Sequence, residues 1–118
     1  MQKESEPTAF YMTNKRIVLS TAGSEEEARK IAHHLVENRL AACVNIVPRV
    51  ESVYRWEGKV EANREFLMVI KTSTEKFPEL RDAILELHSY DLPECVALRV
   101  EDGSAEYMEW LEESLRNE

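Results

Sequence analysis

Residues 41–74 read AACVNIVPRVESVYRWEGKVEANREFLMVIKTST, and the alternation within them decides the fold. Strand side chains point to opposite faces in turn. Val44 and Ile46 therefore face one way and Val47 the other. Phe66, Met68 and Ile70 share one face, while Leu67 and Val69 share the opposite one. Glu57-Gly58 marks the turn between the two runs. The stretch is one long β-hairpin, apolar on both faces at its base. An antiparallel sheet with one wet face alternates cleanly between apolar and polar, so this one needs a second cover. A chain this short has few helices to spare, and another copy of itself is the natural covering. Each arm, at about 15 residues and roughly 3.3 Å per residue, spans about 50 Å. That exceeds the width of a compact domain of this size, so the tip with Tyr54, Trp56 and Val60 is expected to project onto a partner. Pro48 cannot donate to the ladder and marks an irregularity in the first arm.

Around the hairpin the other elements follow with short connections. Lys15 to Ala22 reads as a strand. Ser24 caps the next helix, Glu27 completes a capping box, and Glu25 and Glu26 suit the positive end of the helix dipole. Ala28, Ile31, Ala32, Leu35 and Val36 form its buried stripe. After the hairpin, Thr74 is placed to cap a second helix with Pro78 in its first turn and Phe77, Leu80, Ile84 and Leu87 inside. Cys95 to Val100 is the last strand, and Ser104 opens a terminal helix whose apolar side is Tyr107, Met108, Leu111 and Leu115. The order β-α-β-β-α-β plus a helix is an α+β, ferredoxin-like arrangement with a long central hairpin. Its two main helices cover one sheet face only. Residues 1–14 read as a loosely ordered tail and 15–118 as one domain.

Composition narrows the function. The net charge of −8 argues against nucleic acid as a partner, and no apolar run approaches the roughly 20 residues of a membrane span. The first residues carry no apolar export core, so cytoplasm is the default, with Cys43 and Cys95 reduced. No nucleophile elbow, phosphate-cradling loop or metalloprotease helix motif is present, and Gly23 alone is too weak a sign of phosphate binding. The chain reads as a non-enzyme with no organic cofactor.

Several separated motifs carry a specific resemblance. Leu40 to Asn45, Ser52 to Lys59, Lys71-Thr72, His88 to Glu94 and Tyr107 to Trp110 stand in an order that resembles the CutA family, the divalent-cation tolerance proteins. The match runs from about Ile17 to Leu115. Cys43 and Asn45 lie in its central motif. The resemblance implies a homotrimer joined by edge strands and long hairpins, and a link to tolerance of divalent metals, copper above all.

His88 is the candidate metal ligand, since imidazole is the commonest one. The competing reading is that it caps the carbonyls of its own helix. The family motif is usually His-Pro-Tyr, and here Ser89 stands in the middle. Copper-binding relatives are similar in placing a Cys and a second His where this chain has Ser20 and Leu87. A hydroxyl and an alkyl group do not replace those ligands, which leaves one His88 from each of three subunits as a route to a copper site if His88 lies near the threefold axis. Cys43 and Cys95 read as small buried hydrophobes, and His33 and His34 as surface residues. Tyr54, Trp56, Glu65, Lys71, Tyr90, Glu94 and Trp110 form a second constellation. Polar groups among aromatic rings suit a small-molecule cleft between subunits, and equally suit packing across an interface. Lys71 is placed to pair with Glu94 or Glu65. The leading reading is a trimeric metal-response protein. The alternatives are a trimeric ligand sensor like the PII signalling proteins, and a structural trimer acting through an unidentified protein partner.

Overall fold

A computed structural model describes residues 13–117. Its elements are β1 (Lys15–Ala22), α1 (Glu25–Glu37), β2 (Cys43–Trp56), β3 (Lys59–Ser73), α2 (Phe77–Leu87), β4 (Val96–Arg99) and α3 (Ala105–Leu115). The strands form one antiparallel sheet in the order β2-β3-β1-β4, the ferredoxin-like order expected of the sequence. The hairpin turns at Glu57-Gly58, where both residues take positive φ. Its arms lie extended, and the chain measures 59 × 34 × 22 Å. The radius of gyration of 16.5 Å exceeds the roughly 13 Å of a compact chain this long. The hairpin tip therefore projects rather than folding back.

Parity sorts the sheet into two faces. Val18, Ala22, Met68 and Ile70 are fully buried beneath α1 and α2, against Ile31, Leu35, Leu80 and Ile84. The opposite face carries Ile17, Leu19, Leu67 and Val69, flanked by Val47 on β2 and by Val96 and Leu98 on β4. There α3 covers only the base end. Leu111 and Leu115 pack with Ala42, Lys15 Nζ reaches Glu112 at 2.6 Å, and Arg39 donates to the Ser114 carbonyl.

The irregularity expected at Pro48 is a one-residue bulge. Val47 pairs with Leu67 and Val50 with Glu65, so β2 advances three residues while β3 advances two. Arg49 takes a φ of 63° to achieve it. A one-residue slip moves every later side chain to the other face. Beyond the bulge Val50, Ser52, Tyr54 and Trp56 therefore share a face with Glu65 and Asn63, the one that α1 and α2 leave uncovered.

Some local expectations are corrected. Ser24 Oγ accepts the Glu27 N–H as a cap should, but the Glu27 carboxylate does not close a capping box; it bonds Ser89 instead. Val36 is 41% exposed at the margin of its helix stripe. Thr74 donates its hydroxyl to the Asn14 carbonyl, and the α2 cap position falls to Lys76 with no side-chain cap. Ser104 likewise sits at the α3 cap position without a side-chain bond, and Tyr107 is exposed. Strand β4 is shorter than expected, Val96–Arg99. Most of the expected tail lies outside the described residues. Its last two residues are tied to the domain, Thr13 Oγ1 to the Val100 carbonyl at 2.6 Å and Asn14 Nδ2 to Glu75 at 3.0 Å.

Candidate functional site

The loop after α2 turns back beneath the end of β1, and His88 anchors it. Its side chain is buried. Nε2 lies 2.6 Å from the Thr21 carbonyl, so that nitrogen carries the proton and donates. Nδ1 accepts the Tyr90 N–H at 3.1 Å. Glu27 secures the same loop by accepting from Ser89 twice, from N at 2.7 Å and from Oγ at 3.0 Å. A proline in that place would have neither donor, so Ser89 serves as a latch between the loop and α1. Gly23 packs closely against this loop: a Cβ there would sit 3.1 Å from the Tyr90 hydroxyl and press on it.

Neither reading of His88 from the sequence describes this geometry. The ring does not cap its own helix, whose last turn is met by the His88 backbone N–H bonded to the Ile84 carbonyl. Nor does it offer a lone pair, since both nitrogens are held by backbone groups. Ser20 lies on the helix-covered face, fully buried, and its hydroxyl has no hydrogen-bond partner among the described residues. Leu87 packs against the core. No group of three or more His, Cys, Asp or Glu among the described residues is arranged to hold a metal ion. The residues of one chain around His88 therefore do not fit a copper ion.

The aromatic and acidic constellation divides into two. Five of its residues, Tyr54, Trp56, Glu65, Tyr90 and Glu94, line one cavity of about 730 Å³ between the distal hairpin and the 90–94 loop. Glu65 is its most buried member, 7% exposed, and accepts the Tyr90 hydroxyl at 2.7 Å. Burial and then that bond and the Glu65 charge hold the Tyr90 phenol well above its ordinary pKa. Burial first, and the Glu65 charge second, also raise the Glu94 carboxyl. The Asn63 amide donates to the Tyr54 hydroxyl and fixes that ring. Thr21, Asn63 and Asp91 also line the cavity; the sequence singled out none of them.

Lys71 and Trp110 lie elsewhere. Lys71 Nζ is 3.4 Å from the Tyr107 hydroxyl and stands over its ring, and Tyr107 contacts Trp110 at 5.3 Å between centroids. The expected pairing of Lys71 with Glu65 or Glu94 is not made within the chain. Six residues of strand separate Lys71 from Glu65, about 20 Å, so the spacing itself argues against the pair. Cys43 and Asn45 sit on the face opposite α1 and α2, opposite Lys71 and Val69 in the ladder. Cys43 and Cys95 are both free and half-buried, and burial raises the Cys95 thiol.

The family model of the "CutA1 divalent ion tolerance protein" matches residues 16–114. The chain is 51% identical over 100 residues to the divalent-cation tolerance protein CutA of Thermus thermophilus, covering 85% of this chain and 97% of that one. It is 48% identical over 95 residues to the protein of the same name from Archaeoglobus fulgidus, covering 80% and 92%. The solved Thermus structure superposes with a TM-score of 0.83 at 51% identity, over 85% of this chain and 97% of that one. The Archaeoglobus structure, titled a periplasmic divalent cation tolerance protein, gives 0.84 at 45% identity over 86% and 99%. The resemblance seen in the motifs thus extends through the whole sheet and its helices, and the chain belongs to the CutA family of divalent-cation tolerance proteins.

Proposed function

We propose that the protein is a non-enzymatic homotrimer serving divalent-cation tolerance, and that the sheet face opposite α1 and α2 is its subunit interface. One observation carries this reading. That face carries apolar side chains from all four strands, Ile17 and Leu19, Val47, Leu67 and Val69, and Val96 and Leu98, and α3 covers only its base. Val96 and Leu98 are about half exposed and Val47 is 40% exposed, an uncovered patch of the kind that marks an interface. The sheet ends in two unpaired edges, β2 and β4, which a ring of copies protects. No helix among the described residues is long and apolar enough to cross a membrane.

Copper enters this reading as a question for experiment, because His88 must release Thr21 or Tyr90 before it can ligate. Native mass spectrometry of the reduced protein, with and without copper, tests both parts. A species at three times 13.7 kDa supports the assembly, and a monomer at micromolar concentration refutes it. Stoichiometric copper uptake lost in His88→Ala would mean that the ring rotates out to bind. Uptake unaffected by that change would exclude His88.

A second reading is favoured by the cavity. A space of about 730 Å³ with aromatic walls and a few convergent polar groups has the size and lining of small-molecule sites. It supports a trimer that senses a ligand at the hairpin tip of each subunit. Thermal stabilisation by a bound ligand is its test.

A further inference from the structure

The cavity is unbalanced in charge. Glu65, Asp91 and Glu94 line it against one cation, Arg55. Glu65 is almost wholly removed from solvent, with only 7% exposed. Its one hydrogen-bonded partner among the described residues is a neutral hydroxyl, that of Tyr90, and no cationic side chain there lies within ion-pair distance. Buried carboxylates are ordinarily paired. Glu94, a few residues along the same loop, is held above its usual range by burial and by Glu65, so the two acids sense each other. The walls are aromatic: Tyr54 and Trp56, turned to this side by the bulge, and Tyr90. Rings of this kind attract a cation to their faces.

A bare metal ion does not answer this arrangement. No three acids among the described residues converge as a ligand set, and the space is that of a molecule. We propose that the cavity binds a small organic cation, an amine or guanidine, with its charged head at Glu65 and Glu94 and its body against Tyr54 and Trp56. The proposal rests on the sensing reading and supplies its ligand class.

The test uses the full chain in its assembled state. The chain has two tryptophans, so Trp110→Phe leaves Trp56 as the sole indole reporter. Agmatine, spermidine, arginine and choline are titrated by fluorescence and calorimetry beside ATP and 2-oxoglutarate as anionic probes. The expected result is saturable binding of at least one cationic probe. It should weaken with salt and by about tenfold or more in Glu94→Gln, a half-buried position where folding is safe. Glu65→Gln, which keeps an acceptor for Tyr90, should weaken it further. Binding unchanged in both variants would overturn the site. Anionic probes binding while all cations fail would overturn the ligand class and leave the sensing reading standing. Failure of every probe at millimolar concentration would remove both. A crystal structure of the assembly with a neighbour's lysine or arginine seated on Glu65 would also overturn the proposal.

Discussion

Leu98 offers the sharpest test of the assembly. It lies on β4 opposite Ile17, 47% exposed, and nothing in its own subunit covers the remainder. Fully burying a leucine is worth about 1.5–3 kcal/mol, so covering the exposed half contributes about 1 kcal/mol per subunit and about 3 kcal/mol per trimer. Leu98→Ala removes most of that, and at about 1.4 kcal/mol per decade the association constant should fall roughly a hundredfold. Leu98→Asp goes further, because it buries an unpaired carboxylate in each interface, at several kcal/mol apiece. That variant should sediment as a monomer at concentrations where the parent is trimeric. Its helical circular dichroism should persist, since within the lone subunit the position is half in water. Sedimentation velocity across a dilution series reads both effects. A Leu98→Asp protein as trimeric as its parent down to the lowest measurable concentration would refute the assignment of this face.

Three further outcomes follow from polar groups and their partners. Thr72 is fully buried and donates to the Leu40 carbonyl at 2.6 Å; Thr72→Val should cost about 1–3 kcal/mol in urea unfolding by orphaning that carbonyl. Ser20→Ala removes a buried hydroxyl that has no partner among the described residues, so stability should hold or rise by about 1 kcal/mol; a loss of that size would reveal a bridging water. The Lys15 hydrogen bond and charge lower the Glu112 pKa. A carboxyl lowered on folding stabilises above its unfolded pKa and loses that contribution as pH falls through the folded value. Glu112→Gln should therefore cost less than about 1 kcal/mol at neutral pH, the glutamate being about half exposed. The difference should vanish on acidification, and pH-dependent melting of both proteins checks it.

The hairpin, its turn, the order of elements and the two-faced base were legible because they rest on period-two alternation and turn chemistry. The details that escaped are tertiary. Glu27 stands at a capping-box position, yet its carboxylate finds two donors on Ser89, 62 residues away, and no local pattern announces them. Pro48 announced an irregularity but not its type. Only the observed pairing of Val50 with Glu65 shows that Tyr54 and Trp56 change face there. Simple alternation from Val47 would have sent them to the other side and dissolved the cavity. Lys71 and Glu65 share a face, and their separation along one strand was readable from the start. The constellation looked like one site because charge and aromatic content were noted without that distance.

The two halves of the constellation lie at opposite ends of one sheet face, and the proposed assembly would give this arrangement a use. Within a subunit, Lys71 with Tyr107 and Trp110 mark the base, while Glu65, Tyr54 and Trp56 mark the tip. A hairpin arm of about 46 Å, at 14 residues and roughly 3.3 Å each, is long enough to lay its tip across a neighbour packed on the same face. The loop that closes the cavity is fastened to α1 through Glu27 and to β1 through His88 and Thr21. The cavity wall and the hold on His88 then share one short segment, residues 88–94. A ligand bound there would press on the loop whose Tyr90 N–H holds His88 Nδ1, and so on the ring that must turn out before it can ligate a metal.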